Sequence, residues 1–347
     1  MKCLAILTVR NEGAFLLEWL AHHRAVGFTD FLIYSNDCDD GSDKMLDRLD
    51  SLGQITHVRN DGPHDRGVQW AALKHADQHP LVKTADWILP LDIDEFVNIH
   101  VGDHTLDALL TALPDATAIT LTWRLFGNAG VVTYQDKPIT EQFCLAAPVV
   151  MNWPWRASMF KSLFRNDGTY RKLGVHRPKS PVEDRLDQAR WFDGHGRELD
   201  DSIKRSRLFS RFGQNNYGLV QLNHYALGAM ESYVLKRERG RSNRDDSGAG
   251  MSYWVDRNWC SDEDRSIARI TPKSDQILAG FKSDRLLNDL HKVSVVWRKQ
   301  RFEKLMKMED LRALFGRLIT TPPSRPLTRQ QARPLLQLAQ RHSHKPH

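Results

Sequence analysis

Short apolar runs and amphipathic stretches alternate along the first third of the chain. The apolar runs hold few charges and predict buried strands at 3–9, 31–34, 55–58, 87–91 and 118–123. Apolar positions at helical spacing predict helices between them at 12–26, 45–52, 68–78 and 105–113. Strands that alternate with helices are typical of a mostly parallel sheet flanked by helices. The pattern therefore predicts an α/β fold class.

The rest of the chain is less regular. We predict strands at 158–164 and 219–225, a helix at 231–239, a loop at 240–250 and one basic amphipathic helix at 297–318. These elements suggest three parts: an α/β half at 1–125, a less regular α+β half at 126–290 that completes the same domain, and a basic helical tail at 291–347.

Composition narrows the class of protein. No apolar stretch reaches 18 residues, so no membrane-spanning helix is predicted. The apolar start at 1–9 runs straight into charged residues without a cleavage site, so we do not expect a signal peptide. Four isolated cysteines argue against a disulfide framework and fit a reducing compartment, so a cytoplasmic location is expected.

The net charge of +6 is concentrated at one end of the chain. Residues 291–347 hold 13 Lys and Arg against 3 Asp and Glu. A solvated tail is the favoured interpretation, and the alternative is peripheral docking on an anionic surface such as the inner face of the membrane. No nucleic acid is expected as a partner.

Polar clusters follow three of the predicted strands, at 10–12, 36–40 and 92–95. In parallel α/β sheets ligands bind beyond the carboxyl ends of the strands. The cluster Asp92-Ile93-Asp94-Glu95 (a DxD pattern) is costly to pack unless a hard divalent cation offsets the repulsion of its carboxylates. If the strand stays extended, Asp92 and Asp94 point the same way. The alternative is a solvated acidic turn.

Three motifs together resemble a known family. They are Leu7-Thr8-Val9-Arg10-Asn11-Glu12, Tyr34-Ser35-Asn36-Asp37 with Asp40-Gly41-Ser42, and Asp86-Trp87-Ile88 leading to Leu91-Asp92-Ile93-Asp94-Glu95-Phe96. The combination is similar to glycosyltransferase family 2 and, more closely, to glycosyltransferase family 92. The resemblance implies a GT-A fold, a nucleoside diphosphate-sugar donor, a saccharide acceptor and Mn²⁺ or Mg²⁺ as cofactor.

The resemblance also implies roles for residues of the first half. It places four residues around the nucleotide base and ribose: Thr8, Arg10, Asn11 and Glu12. Asn36 and Asp37 match the base-binding position, and which of them acts stays open. Gln69 would face the nucleotide, Asp92 would touch ribose, sugar or metal, and Asp94 would bind metal. Asp94 and Glu95 are the catalytic candidates, and Glu95 either supports the site or faces the donor sugar.

Further candidates lie in the second half. The resemblance suggests His224 as a metal ligand, whereas a lone His beside apolar residues is as often a packed one. Lys236 could pair with the diphosphate, although a solvated Lys is the commoner case. Trp123, Asn128 and His176 are candidates for acceptor binding, with core packing as the alternative for Trp123. The general base is not identified; Glu183, Asp184 and Asp193 are loop carboxylates that could serve.

The function expected is a metal-dependent, inverting glycosyltransferase that uses a UDP-sugar. One alternative is a sugar-phosphate nucleotidyltransferase, which needs a Gly-rich basic loop after the first strand that 8–13 does not supply. The other is a non-catalytic module that binds anionic surfaces through the basic tail, which would leave the carboxylates at 92–95 idle.

Overall fold

The computed structural model describes residues 1–64, 67–239 and 250–342. The predicted loop at 240–250 therefore lies outside the described residues except for Gly250. The strands are β1 Cys3–Val9, β2 Asp30–Ser35, β3 Thr56–Arg59, β4 Trp87–Leu91, β5 Glu95–Ile99, β6 Ala118–Leu125, β7 Leu145–Ala146, β8 Phe160–Arg165, β9 Tyr170–Lys172, β10 Lys179–Pro181, β11 Trp191–Asp193, β12 Val220–His224 and β13 Asp262–Glu263. The helices are α1 Gly13–Val26, α2 Ser42–Ser51, α3 Val68–Ala76, α4 Pro80–Thr84, α5 Leu106–Ala112, α6 Ile139–Gln142, α7 Glu183–Leu186, α8 Ser202–Arg205, α9 Met230–Arg239, α10 Met251–Val255, α11 Thr271–Ser283, α12 Arg285–Leu305, α13 Glu309–Thr320 and α14 Arg329–His342.

The central sheet confirms the predicted α/β class. Its strands follow the order β3-β2-β1-β4-β8-β6-β12-β5, and β11 also pairs with β6. β1, β2, β3 and β4 are parallel, as are β6, β11 and β12. β8 runs antiparallel between β4 and β6, and β5 is antiparallel to β12. Strands with helices on both sides and a helical C-terminal region match the architecture expected from the sequence.

The first strand shows why the apolar runs are continuous. Cys3, Ala5 and Leu7 belong to the hydrophobic core that α1 covers, whereas Leu4 and Ile6 belong to the core on the opposite side. A strand buried on both faces has no polar face, so it lacks the alternation of a half-exposed strand.

Helix α1 ends as its sequence predicts. Gly27 adopts a left-handed conformation with φ of 114°, and its N–H donates to the carbonyl oxygens of His23 and Arg24. A left-handed residue after a helix satisfies its last carbonyl groups, and glycine adopts that conformation without steric cost. The chain therefore turns back at once into β2.

The C-terminal helices correct two predictions. The single helix predicted at 297–318 is wrong, because α12 ends at Leu305 and α13 begins at Glu309. The solvated-tail interpretation is also wrong for α12, whose Ser294 and Arg298 are buried. This helix packs against α1, α2 and α9. Among the described helices, none is long and apolar enough to cross a membrane. The three-part division, the cytoplasmic location and membrane docking stay predictions.

Candidate active site

A cavity of about 160 Å³ lies at the carboxyl edge of the sheet, between the ends of β1 and β4 and helices α9 and α12. Arg10, Asn11 and Glu12 line it from the end of β1, and Asp94 lines it from the turn after β4. Helices α9 and α12 add basic residues, among them Lys236, Arg239, Arg298 and Arg301. Asp39 also lines the cavity, so each of the three polar clusters predicted from the sequence contributes at least one residue to it.

Asp94 is held by an ammonium group. Lys236 Nζ donates to its Oδ2 at 2.6 Å and also to the Ala226 carbonyl oxygen at 2.8 Å. Burial raises the pKa of Asp94, but the charge and hydrogen bond of Lys236, together with the neighbouring His224, outweigh burial and keep the pKa well below its usual range. Asp94 is therefore ionised at neutral pH.

His224 lies on the other side of the same carboxylate. Strand β12 pairs with β5 so that His224 stands opposite Glu95, and its Nε2 lies 3.7 Å from Asp94 Oδ1. Its ring packs on Trp123 with centroids 4.3 Å apart, and its Nδ1 is buried without a hydrogen-bond partner. Burial lowers the pKa of His224 to about 3, so the imidazole is neutral and its nitrogen can act as a ligand.

Asp92 is held by a different lysine. β8 runs antiparallel to β4, so the beginning of β8 lies beside the end of β4. Lys161 Nζ, which is fully buried, lies 3.0 Å from Asp92 Oδ2. Gln69 Nε2, on α3, donates to Asp92 Oδ1 at 3.0 Å. Both oxygens of Asp92 therefore have partners, one in Lys161 and one in Gln69.

The two aspartates do not point the same way as predicted. The prediction requires an extended strand through residue 94, but β4 ends at Leu91 and a turn follows, in which the Glu95 N–H donates to the Asp92 carbonyl oxygen at 3.1 Å. In a turn the alternation of an extended strand is lost. Asp92 therefore pairs with Lys161 and Asp94 with Lys236, although the charges of both aspartates act on Glu95 and His224.

Glu95 is enclosed rather than presented to a ligand. Its side chain is fully buried; it accepts from Trp123 Nε1 at 2.7 Å and from the Asp92 N–H at 2.8 Å, and Lys161 Nζ lies 3.4 Å away. Burial raises the pKa of Glu95 against the opposing charge of Lys161. Of the two roles left open for Glu95, these contacts favour support of the site.

The site offers two potential ligands to the metal that the family resemblance implies. Asp94 offers a carboxylate oxygen and His224 a neutral imidazole nitrogen, both of which are ligands of Mn²⁺. The Nδ1 of His224 has no hydrogen-bond partner among the described residues, so none of them fixes the ring through that atom. Asp92 does not complete the set, since its oxygens are taken by Lys161 and Gln69. Across the described residues no group of three potential ligands stands ready to hold a metal ion. The pair Asp94 and His224 thus fits a metal whose other ligands come from a substrate.

The three predicted nucleotide-binding residues Thr8, Asn11 and Glu12 have different surroundings at the end of β1. Asn11 has a positive φ of 56°, and its side-chain oxygen accepts from the Asp39 N–H at 2.7 Å. Thr8 lies in β1 opposite Tyr34 of β2. Glu12 is buried in the cavity wall and pairs with Arg239 and Arg298.

Asn36 and Asp37 lie off the cavity. Asn36 is buried, and its N–H donates to the Val9 carbonyl oxygen at 3.1 Å. Asp37 turns toward the chain after β3, where its N–H donates to Asp61 Oδ1 at 2.7 Å. Neither residue lines the cavity, so the structure does not bring them together with Asp94.

The acceptor candidates are packed inside the protein. Trp123 is 7% exposed, and Asn128, which is 1% exposed, donates to the carbonyl oxygens of Val131 and Gly228 at 2.8 Å. His176 Nδ1 contacts the Phe160 carbonyl oxygen at 3.1 Å, and burial lowers its pKa to about 4. An aromatic platform for a sugar needs an open face, which Trp123 lacks here because His224 and His176 pack on it.

The three loop carboxylates that are candidates for the general base have different surroundings. Asp193 is fully buried, pairs with Arg197 and accepts from the His195 N–H, so it holds a turn. Glu183 forms an ion pair with Arg205 at the surface, and Asp184 is exposed. None of them lines the cavity at Asp94.

Sequence reasoning missed three cations of the site: Lys161, Arg239 and Arg298. A lysine inside the apolar run of β8 is a detectable signal, because a fully buried ammonium group requires an anionic partner. Arg239 and Arg298 gave no such signal, since they stand among other basic residues in stretches that also suit a solvent-facing helix surface.

The sequence profile of glycosyltransferase family 92 matches residues 2–190, which is more than half of the chain. The chain belongs to glycosyltransferase family 92. The resemblance noted from the strand-end motifs is thereby confirmed. A family 92 protein of Oryza sativa subsp. japonica is 28% identical over 149 residues, which are 40% of this chain and 24% of that protein. A family 92 protein of Ricinus communis is 24% identical over 144 residues, 38% of this chain and 24% of its own. The match thus spans about a quarter of the length of these relatives.

Solved structures show weaker similarity to this family 92 chain. Residues 1–349 of S. aureus TarS are 12% identical, with 82% of this chain and 74% of that chain covered and a TM-score of 0.34. The galactosyltransferase LgtC is 11% identical, with 79% of this chain and 95% of that chain covered and a TM-score of 0.31. A likeness at this level says nothing about substrate or chemistry.

Proposed function

We propose that this family 92 chain transfers a sugar from a nucleoside diphosphate-sugar, with UDP as the nucleotide, to a saccharide acceptor with inversion at the anomeric carbon. Asp94 supports the proposal most directly. It is an ionised carboxylate on the wall of the cavity, between the ammonium group of Lys236 and the neutral imidazole of His224. A diphosphate needs positive charge at this place when the sugar departs.

We further propose that Asp94 and His224 hold Mn²⁺ or Mg²⁺ when the donor is bound. A divalent cation there would supply positive charge to the diphosphate. Lys236 would then leave Asp94 and donate to a phosphate oxygen, because its ammonium is an equally good partner for either anion. Arg10 and Asn11, which line the cavity from the end of β1, would contact the nucleotide.

Asp92, Lys161 and Gln69 have a positioning role in this proposal. The carboxylate of Asp92 is 38% exposed at the sheet edge, and Lys161 and Gln69 fix both of its oxygens. A sugar hydroxyl that approaches Asp92 from its exposed side would find the carboxylate, which accepts the hydrogen bond, already oriented. Glu95 lies below and holds Lys161 and Trp123 in place.

The experiment is a donor screen with purified protein. Hydrolysis of UDP-, GDP- and ADP-sugars is followed by release of the nucleoside diphosphate with Mn²⁺, with Mg²⁺ and with chelator. We expect turnover of a UDP-sugar with metal, and a loss of about 100-fold or more in Asp94→Asn. Asp167→Asn, which removes a carboxylate paired with Arg165 far along the chain, is the control and should retain activity.

Two results would contradict the proposal. One is release of no nucleoside diphosphate from any donor by folded wild-type protein. The other is equal turnover of wild type and Asp94→Asn. Once an acceptor is found, NMR of the anomeric proton of the product decides whether the configuration is inverted.

A further inference from the structure

Two arginines from different helices converge on one carboxylate at the wall of the cavity. Arg239, the last residue of α9, donates through Nη1 to Glu12 Oε1 and to the Arg10 carbonyl oxygen. Arg298, in the middle of α12, places Nη1 at 3.8 Å from the other oxygen of Glu12. All four residues line the same cavity as Asp94. One carboxylate therefore serves two guanidinium groups.

Arg298 is unusual because it is almost completely buried. It is 6% exposed, and its guanidinium carbon lies 4.5 Å from the ring centre of Phe15 and 5.1 Å from that of Tyr134. Within the described part of the chain, its buried Nε has no hydrogen-bond partner, and neither has the buried Nε of Arg10. A buried guanidinium with an unused donor is costly unless an anion is present.

The charges of this corner are out of balance without a ligand. Burial and the neighbouring charge of Arg298 lower the pKa of Arg239 to about 10, and burial likewise lowers the pKa of Arg298. Arg10 adds a third guanidinium to the same wall. Among the described residues that line the cavity, five cations (Arg10, Lys236, Arg239, Arg298 and Arg301) stand against four carboxylates (Glu12, Asp39, Asp94 and Glu238), which leaves one positive charge in surplus beside a volume of about 160 Å³.

We propose that Arg239 and Arg298 bind the diphosphate of the donor, so that α12 completes the donor site from outside the segment that matches the family. Guanidinium groups bind phosphate oxygens through two parallel hydrogen bonds, which a single lysine cannot do. Glu12 keeps both guanidinium groups oriented in the absence of donor. This inference rests on the proposed function for the identity of the ligand, but its two arginines lie beyond the segment that matches the family, which ends at residue 190.

The test is calorimetric binding of three probes: UDP, uridine and inorganic pyrophosphate. Each is titrated into wild type, Arg298→Met and Arg48→Met. Methionine keeps the apolar contacts with Phe15 and Tyr134 and removes the charge. Arg48 forms an ion pair with Asp284, the N-cap of α12, at 2.6 Å, so its loss weakens the docking of the same helix without touching the cavity.

If the proposal holds, Arg298→Met binds UDP and pyrophosphate about 10- to 100-fold more weakly. Its affinity for uridine is unchanged, and Arg48→Met behaves as wild type with all three probes. The proposal is overturned if Arg298→Met binds UDP and pyrophosphate as wild type does. It is also overturned if the variant loses uridine and UDP binding equally, because the residue then only supports the fold.

The pyrophosphate arm separates this inference from the proposed function. If wild type binds pyrophosphate but neither UDP nor uridine, the proposed donor is wrong, and dependence of pyrophosphate binding on Arg298 still supports the anion site. If wild type binds UDP but shows no pyrophosphate binding that depends on Arg298, the proposed donor stands and the arginine site is refuted.

Discussion

Removal of the charge on Asp94 separates the stability of the site from its function. Asp94→Asn leaves the Lys236 ammonium, whose side chain is 22% exposed, next to a neutral amide in place of the carboxylate that now lies 2.6 Å away. Breaking a fully buried ion pair from one side costs about 3–5 kcal/mol, and because this pair is partly exposed we expect about 3 kcal/mol. With an unfolding entropy of about 2.1 cal/mol/K per residue, a chain of this length loses about 0.7 kcal/mol of stability per degree, so the melting temperature should fall by about 4 °C.

The double variant Asp94→Asn/Lys236→Met provides the decisive comparison. It leaves no unpaired charge, and replacement of both partners of a buried pair is often close to neutral. We therefore expect its melting temperature to return to within about 2 °C of the wild-type value. Donor hydrolysis should stay as low as in Asp94→Asn, because neither the carboxylate nor the ammonium is restored.

The assay is differential scanning calorimetry of wild type, both single variants and the double variant at pH 7.5, with hydrolysis measured on the same samples. Lys236→Met alone should also be destabilised, since it leaves the partly buried Asp94 carboxylate without its cation. A double variant that is no more stable than Asp94→Asn would refute the reasoning about the ion pair. Recovery of hydrolysis together with stability would refute the functional role of Asp94.

Two further outcomes are expected. Burial raises the pKa of Glu18 from 4.5 to about 7, so the folded protein has its full stability below pH 4.5 and loses up to about 3 kcal/mol of it as the pH rises to 7. Glu18→Gln should reduce the difference in the free energy of unfolding between pH 5 and pH 7.5, measured by urea unfolding. An unchanged difference would contradict this prediction. Gly127→Ala should destabilise the protein by about 1–3 kcal/mol, since the added Cβ would lie 2.4 Å from a backbone oxygen. The control is Gly280→Ala on α11, where the Cβ would meet open space, and it should stabilise the protein by up to about 1 kcal/mol. Equal unfolding midpoints for the two variants would count against the close packing at Gly127.

The elements of the first half were predictable because their information is local. A strand buried on both faces, such as Cys3–Val9 or Trp87–Leu91, is an uninterrupted apolar run, and both of these strands have the predicted bounds. A helix such as α1 is marked by its apolar spacing and by the glycine that follows it. Neighbouring residues decide such features, so their order along the chain suffices.

In the site, too, local features were predictable from the sequence and long-range contacts were not. The sequence alone determined that polar residues follow the strands, that an Asp92/Asp94 pair follows β4 and that the chain resembles family 92. Which charge each carboxylate meets was decided by tertiary structure: the turn after Leu91 separates the two aspartates, antiparallel β8 brings Lys161 to one, and α9 brings Lys236 to the other. Arg298 lies 286 positions from Glu12 in the sequence and meets it only because α12 packs on α1. Local order sets strands and helices, whereas the pairing of buried charges depends on distances that only the packed chain defines.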